Sequence, residues 1–245
     1  MKSKEREFLG VESRAYLLSQ GRLADRELDI KLLLKTAGIQ AIQANLNFPR
    51  EDFQRAIDFV YQNLKSEYQG FPFQDAQNFI LSLVPHKRSV MELLLVEYSK
   101  KKNRILGTVL VSASRNLRHF KTMNFASQSW NQSLKGTCYE LRGAFSRAFS
   151  VAKPHVYMEI AYYIVDPHLR KNNELRVGEH LLKNLTRFKN ILSLELHEKV
   201  IFFGGMHKRL ATKPRIKPLI KPLPKSHFFH YPGDPEKSVI IVSTL

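Results

Sequence analysis

The run Val156-Tyr157-Met158-Glu159-Ile160-Ala161-Tyr162-Tyr163-Ile164-Val165 constrains the fold more than any other part of the chain. It is almost wholly β-branched, aromatic or aliphatic, the pattern of a central strand. Asp166-Pro167-His168 stops it, and a basic, asparagine-containing loop runs on through Asn173. Leu175, Gly178, Leu181, Leu182, Leu185 and Phe188 then recur at helical spacing and predict a helix of roughly four turns. A buried strand feeding a loop and then a helix commits the chain to an α/β layer structure.

The flanking segments add layers to that unit. Residues 1–36 mix charges with Leu17, Leu18, Leu23, Leu28, Ile30, Leu32, Leu33 and Leu34, and read as a prefix of one or two short helices. Ile39 to Leu46 predicts a strand that ends at Asn47-Phe48-Pro49. Phe53, Ala56, Ile57, Val60, Tyr61 and Leu64 lie on one helical face. Val90 to Tyr98 and Ile105 to Ser112 read as an antiparallel hairpin, with Gly107 marking a bulge or a close backbone approach. Residues 113–155 form a long polar stretch with scattered aromatics, which predicts helical pieces or a binding lid. Ile191 to Leu196 suggests the next strand, and Ser226 to Tyr231 with Ser238 to Ser243 a closing pair. The expectation is a mixed central sheet with flanking helices: a helical prefix at 1–36 and one domain at 37–245 that carries the 113–155 insert.

Charge enters because the chain carries a formal +17. So strong a positive field favours an acidic partner: nucleic acid, an anionic membrane surface, an acidic carrier protein or a phosphorylated cofactor. The bias peaks at 208–225, where Lys208, Arg209, Lys213, Arg215, Lys217, Lys221 and Lys225 alternate with prolines and no acid intervenes. Those prolines favour an extended strap over an amphipathic helix. Cys138 is the single cysteine, which excludes an intrachain disulfide and a multi-cysteine zinc site and makes a reducing compartment the expectation. With no signal-peptide core and no apolar run of about 18 residues, a cytoplasmic protein is expected, with peripheral contact at the inner face of the membrane left open by the strap.

The segment from Ile164-Val165-Asp166-Pro167-His168-Leu169-Arg170 through Arg176-Val177-Gly178-Glu179-His180-Leu181-Leu182 resembles the Gcn5-related N-acetyltransferase superfamily. In that superfamily a central strand ends in a V-x-P-like turn, then a basic loop and a helix opening near G-x-x-L-L. More narrowly, the layout is similar to N-acyl amino acid synthases and acyl-homoserine-lactone synthases, over residues 38 to about 190. The resemblance implies an acyl-CoA N-acyltransferase-like fold. It also implies transfer of an acyl group, long chains included, from an acyl thioester to a primary amine such as an amino acid. The donor would be acyl-phosphopantetheine on an acidic acyl carrier protein, or acyl-CoA, with no tightly bound cofactor. Glu159 matches the family's central-strand glutamate and would take the amine proton; one of Tyr157, Tyr162 and Tyr163 could donate to the leaving thiolate, and although no sequence rule selects among them, Tyr163 is carried as the candidate. Backbone N–H groups freed by a bulge near Tyr163 to Val165 would contact the oxyanion and the pantetheine.

The phosphate-binding expectation has a physical basis of its own. Unpaired amides at a helix start attract anions, so the turn into Arg176, Val177, Gly178 and Glu179 can hold a phosphate, with Arg170, Lys171 and Arg176 adding charge. The family's R/Q-x-x-G-x-G/A pattern is not kept: with Gly178 as its last glycine, Asn173 stands at the Arg/Gln position and Arg176 at the earlier glycine. That departure puts ordinary acetyl-CoA use in doubt. Glu159 has a bland alternative as a paired carboxylate that orients the insert. Phe71, Phe73 and the aromatic insert are candidate walls for an acyl chain, and equally ordinary packing. The nine histidines show no metal-ligand spacing, and Cys138 lacks a nucleophile motif. Two other functions stay open: a noncatalytic basic nucleic-acid-binding protein, and a membrane- or partner-binding protein on an inactive acyltransferase-like scaffold.

Overall fold

The apolar runs at the centre of the chain pair as their patterns require. The computed structural model describes residues 10–21, 23, 28–67, 73–83, 90–100, 103–149, 156–172, 176–207, 220–223, 227–230 and 237–243. Its elements are β1 (Val11–Ser19), α1 (Ile30–Thr36), β2 (Gln40–Gln43), α2 (Glu51–Glu67), α3 (Ala76–Leu83), β3 (Met91–Ser99) and β4 (Arg104–Ser114). The insert helices α4 (Lys121–Ser129) and α5 (Leu134–Phe149) follow, then β5 (Val156–Val165), α6 (Pro167–Asn172), α7 (Val177–Leu196) and β6 (Val200–His207). The chain closes with β7 (Ile220–Pro222), β8 (Phe228–His230) and β9 (Lys237–Ser243).

These strands form one mixed nine-stranded sheet in the order β2-β1-β3-β4-β5-β6-β9-β7, with β8 also on β9. β1 with β2 and β5 with β6 are parallel, each pair joined through helix; the other pairs are antiparallel. The expected α/β architecture, a mixed central sheet flanked by helices, is therefore what the chain adopts.

Side-chain alternation divides the core in three. On one face, Leu93, Leu95, Val109, Val111, Val156 and Met158 pack under α1 and α7. On the other face, Leu94, Val96 and Leu110 pack against Phe53, Ile57 and Val60 of α2 and Phe79 of α3. Farther along that second face, Tyr157, Ile201 and Phe203 pack against Phe120, Met123, Leu141 and Phe145 around the insert. The insert thus contains the expected helical pieces, and Phe120, Phe125, Trp130 and Phe145 pack in a core of their own while Tyr139 is exposed. Gly107 meets the expectation of a close approach: a Cβ there would lie 2.9 Å from the Ile164 carbonyl oxygen and 3.0 Å from side chains of Leu181 and Val177 in α7.

Two local expectations are corrected. Val11–Ser19, read as part of a helical prefix, is a strand between β2 and β3. Ala15 and Leu17 enter one core and Tyr16 and Leu18 the other, so both faces are apolar and no alternation shows in the sequence. Ile191 to Leu196 is not a strand but the last turns of α7. Phe188, Leu192 and Leu196 are buried at the spacing of a helix face, whereas Leu194 is 74% exposed and makes the segment look continuously apolar. The next strand is Val200–His207. Of the 208–225 strap, residues 220–223 are described, and Ile220–Pro222 pairs with β9 as an outer strand; the other basic residues expected to act there, and Phe71, lie outside the described residues.

Candidate functional site

The fold's main irregularity lies near the end of β5. Thr108 pairs with Ile164 but Leu110 pairs with Ala161, so β5 carries an extra residue against β4. Tyr162 takes φ 47° there, a left-handed conformation unusual and costly for a bulky side chain. The bulge turns Ala161 and Tyr162 to the α2/α3 face and Tyr163 to the α7 side. At nearly the same point β5 and β6 part: their parallel pairing ends at Ile160 with Gly204, and β6 continues against β9. From Ala161 to Val165, β5 has no strand pairing on its β6 side among the described residues.

The start of α7 stands beside this opening. Its N-cap residue, Arg176, makes no side-chain capping hydrogen bond, so the first-turn amides of a 20-residue helix have no side-chain acceptor from that position. Arg176 is exposed and lies 3.4 Å from Glu179, Val177 is buried, and Gly178 faces Tyr163. A Cβ on Gly178 would sit 2.6 Å from the Tyr163 hydroxyl and 3.6 Å from Val165. The Tyr163 ring is 38% exposed, but its hydroxyl end is packed at the helix start; burial there, with the charges of Glu179 and Glu97, raises the phenol pKa. The structure therefore brings Tyr163, Val165, Arg176, Val177, Gly178 and Glu179 together. Arg170 and Lys171 fall in α6, with side chains outside the described residues.

Glu159 lies on the opposite face of the sheet from Tyr163. It is 1% exposed, and its two oxygens accept from the backbone amides of Thr122, at 2.8 Å, and Lys121, at 3.2 Å. Phe120, at the N-cap position of α4, supplies no capping side chain, so Glu159 caps the insert helix from the neighbouring strand. Burial raises its pKa, against the Thr122 hydrogen bonds and the Lys121 charge. The register extends the site sideways, because Glu92, Ser112 and Glu159 are direct partners across β3, β4 and β5. Ser112 Oγ donates to Glu92 Oε1 at 2.8 Å, and Glu92 is 3% exposed. Burial pushes the Glu92 carboxyl up to about 7, with Glu159 adding to the rise and Lys121 and Ser112 opposing it. Above this polar row, the Lys121 ammonium sits 5.0 Å from the Tyr162 ring centroid and Phe79 meets the same ring edge-on at 5.5 Å. Phe73, a candidate acyl-chain wall, packs on Phe79 with ring centroids 5.6 Å apart.

A third buried carboxylate, Glu97, faces α7. Ser13 Oγ lies 2.9 Å from both its oxygens, Asn184 Nδ2 donates to Oε1 at 2.9 Å, and His180 Nδ1 is 3.2 Å from Oε2. Sequence reasoning missed Glu92, Glu97 and Lys121. The signal that selected Glu159, a carboxylate inside an apolar strand, is equally present at Glu92 and Glu97. Cys138 is buried in the insert core with a thiol pKa raised by burial, the environment of a packing side chain rather than an activated nucleophile. Among the described residues no group of three or more His, Cys, Asp or Glu side chains could hold a metal ion, and no helix is long and apolar enough to cross a membrane.

No protein-family model matches the chain, and no curated protein sequence matches it. Among the solved structures similar to it, two cover most of its length. One is FeeM, an N-acyl amino acid synthase from uncultured soil microbes, at 10% identity and TM-score 0.43, covering 95% of this chain and 90% of that one. The other is the apo form of a mutant agmatine N-acetyltransferase, at 15% identity and TM-score 0.41, covering 96% of this chain and 98% of that one. At such identities the chemistry has to be read from this chain's own residues.

Proposed function

We propose that the protein is an N-acyltransferase that moves an acyl group from a phosphopantetheine thioester, on an acidic acyl carrier protein or on CoA, to a primary amine such as an amino acid. The observation that carries this reading is the bulge at Tyr162 where β5 leaves β6. An extended pantetheine arm, which bears amides, can add to the β5 edge as a further strand would, and its phosphate can lie at the start of α7. The thioester carbonyl then stands near Tyr162 to Val165, where backbone N–H groups stabilise the oxyanion. Tyr163 lies on this donor side and is the candidate for protonating the leaving thiolate. Its raised pKa keeps the phenol protonated, as a donor must be.

The amine enters from the opposite face, over Tyr162 and between α3 and α4. A carboxylate of the Glu92–Ser112–Glu159 row removes its proton, directly or through water. Phe73, half-buried against Phe79, offers apolar surface to an acyl chain. The formal +17 steers an acidic carrier toward the protein and makes the carrier-bound donor the first to test.

The test is thiol release from matched acyl-carrier-protein and acyl-CoA donors, with pooled amino acids as acceptors and Glu159→Gln alongside. Amine-dependent release with either donor, weakened by the substitution, supports the reading and identifies the donor. Absence of release across both donor panels overturns it.

A further inference from the structure

We propose that the two carboxylates of the acceptor face divide the work: Glu92 takes up the amine proton, and Glu159 holds α4 and its Lys121 in place. This rests on the acyl-transfer reading. The argument is one of hydrogen-bond inventory. Burial raises the pKa of Glu159 as well as that of Glu92, so the difference lies in the geometry: each Glu159 oxygen is occupied by a helix-terminal amide, an arrangement that protonation would disrupt. Glu92 has one hydroxyl partner, Ser112 on Oε1, and its other oxygen accepts no hydrogen bond from the described residues. The charged groups acting on Glu92 are Lys121 from α4 and Glu159 from β5; β4 contributes Ser112, and its partner on β1 is Ser19. Burial raises its pKa to about 7, so it exchanges protons near neutrality, where an acceptor of an amine proton has to work.

The step balances without any further reactant. An ammonium substrate gives one proton to the Glu92 carboxylate, through water where they do not touch, and becomes a free amine. Its nitrogen lone pair forms the C–N bond at the thioester carbonyl, and the C–S bond breaks with its electron pair going to sulfur. The second amine proton ends on the thiolate, giving amide and thiol, and Glu92 releases its proton to solvent. Lys121, held beside Tyr162 by the Glu159 cap, keeps the Glu92 pKa from rising further and so sets the pH at which the step operates.

Two measurements on the full chain test this. The first is the pH profile of amine-dependent thiol release for wild type, Glu92→Gln, Glu92→Asp and Glu159→Gln, each checked for the wild-type circular dichroism spectrum. Glu92→Gln is expected to lower kcat about 100-fold at mildly alkaline pH and to remove the limb that rises near neutrality. Glu92→Asp is expected to recover part of the rate, and Glu159→Gln to lose rate while keeping the limb. Wild-type turnover with an unchanged Glu92→Gln profile overturns the inference and leaves the acyl-transfer reading standing; no wild-type turnover removes both. The second is a carboxyl carbon NMR titration of the protein alone, with Glu92 assigned by Glu92→Gln. A Glu92 midpoint near neutrality is expected, and one in the ordinary carboxylate range overturns the inference whatever the turnover result.

Discussion

Glu92 and Glu97 stand on the same strand, both buried, on opposite faces of one sheet, and they are treated differently by their surroundings. Glu97 is met by the Ser13 hydroxyl from β1 and by the Asn184 amide from α7, with the His180 ring 3.2 Å away, so partners reach it from two elements. Glu92 is met by one hydroxyl, with a second carboxylate in the same row. A buried side chain hydrogen-bonded to two other elements acts as a rivet: it ties α7 to β1 and β3 and fixes the helix whose start faces the opening in the sheet. A buried acid with a short set can exchange its proton at little structural cost. The two faces thus separate rigidity from titration.

The largest expected effect breaks the rivet. Glu97→Ala removes the acceptor shared by the Ser13 hydroxyl and the Asn184 amide and leaves a cavity between β1, β3 and α7, and should cost about 4 kcal/mol of unfolding free energy, read from urea denaturation. Glu92→Gln leaves only one hydroxyl to be re-paired and should cost far less at alkaline pH. Equal losses at the two sites would dissolve the contrast.

The second expectation concerns pH. The folded pKa of Glu92 is raised from 4.5 to about 7, so between these values the folded state holds more protons than the unfolded chain. Its contribution is full below 4.5 and is lost as pH rises through about 7. At about 1.4 kcal/mol per pK unit, wild type should lose about 3 kcal/mol through this group between mildly acidic and mildly alkaline pH. Glu92→Gln should flatten that part of the stability profile. A parallel pair of profiles would show that Glu92 titrates normally.

The third acts on the backbone beneath α7. Gly107→Ala places a methyl 2.9 Å from the Ile164 carbonyl oxygen, and backbone cannot swing aside. A loss of about 2 kcal/mol is expected, with faster amide exchange in the first turns of α7 and little change in the Glu92 titration. A shifted Glu92 midpoint would mean that the two faces are coupled through β4.

What the sequence disclosed followed the range of the interactions. β5 was legible to its ends because ten residues of uninterrupted strand pattern sit between clear stops, whereas a bulge near its C-terminal end was implied only by the family resemblance. β1 was not, because a strand buried on both sides has no period-two signal to separate it from helix. Ile191 to Leu196 resembles a strand because exposed Leu194 fills the gap in a helical stripe. At the site, the cluster of Tyr163, Val165 and Arg176 to Glu179 was legible because strand and helix are neighbours in sequence. The row of Glu92, Ser112 and Glu159 was not, since it exists only in the register of three strands, a long-range property. Sequence could name Glu159 as a buried carboxylate in need of a partner; it could not show that two amides of the insert would meet that need.

The smallest expected effect is the sharpest probe of the donor side. Gly178→Ala brings a methyl within 2.6 Å of the Tyr163 hydroxyl, a contact with the far end of a side chain that is already 38% exposed. The phenol can rotate outward, so the stability cost should be about 1 kcal/mol or less, and Tyr163→Phe in the same chain should recover most of it, since the oxygen is the atom in the way. The same movement carries the Tyr163 hydroxyl away from the start of α7. If that hydroxyl serves the leaving thiolate, Gly178→Ala should lower kcat for thiol release while leaving the pH limb assigned to Glu92 untouched. The double variant should regain stability without regaining rate. Recovery of both together would reduce Tyr163 to a packing residue at the helix start and leave the thiolate to be protonated from solvent.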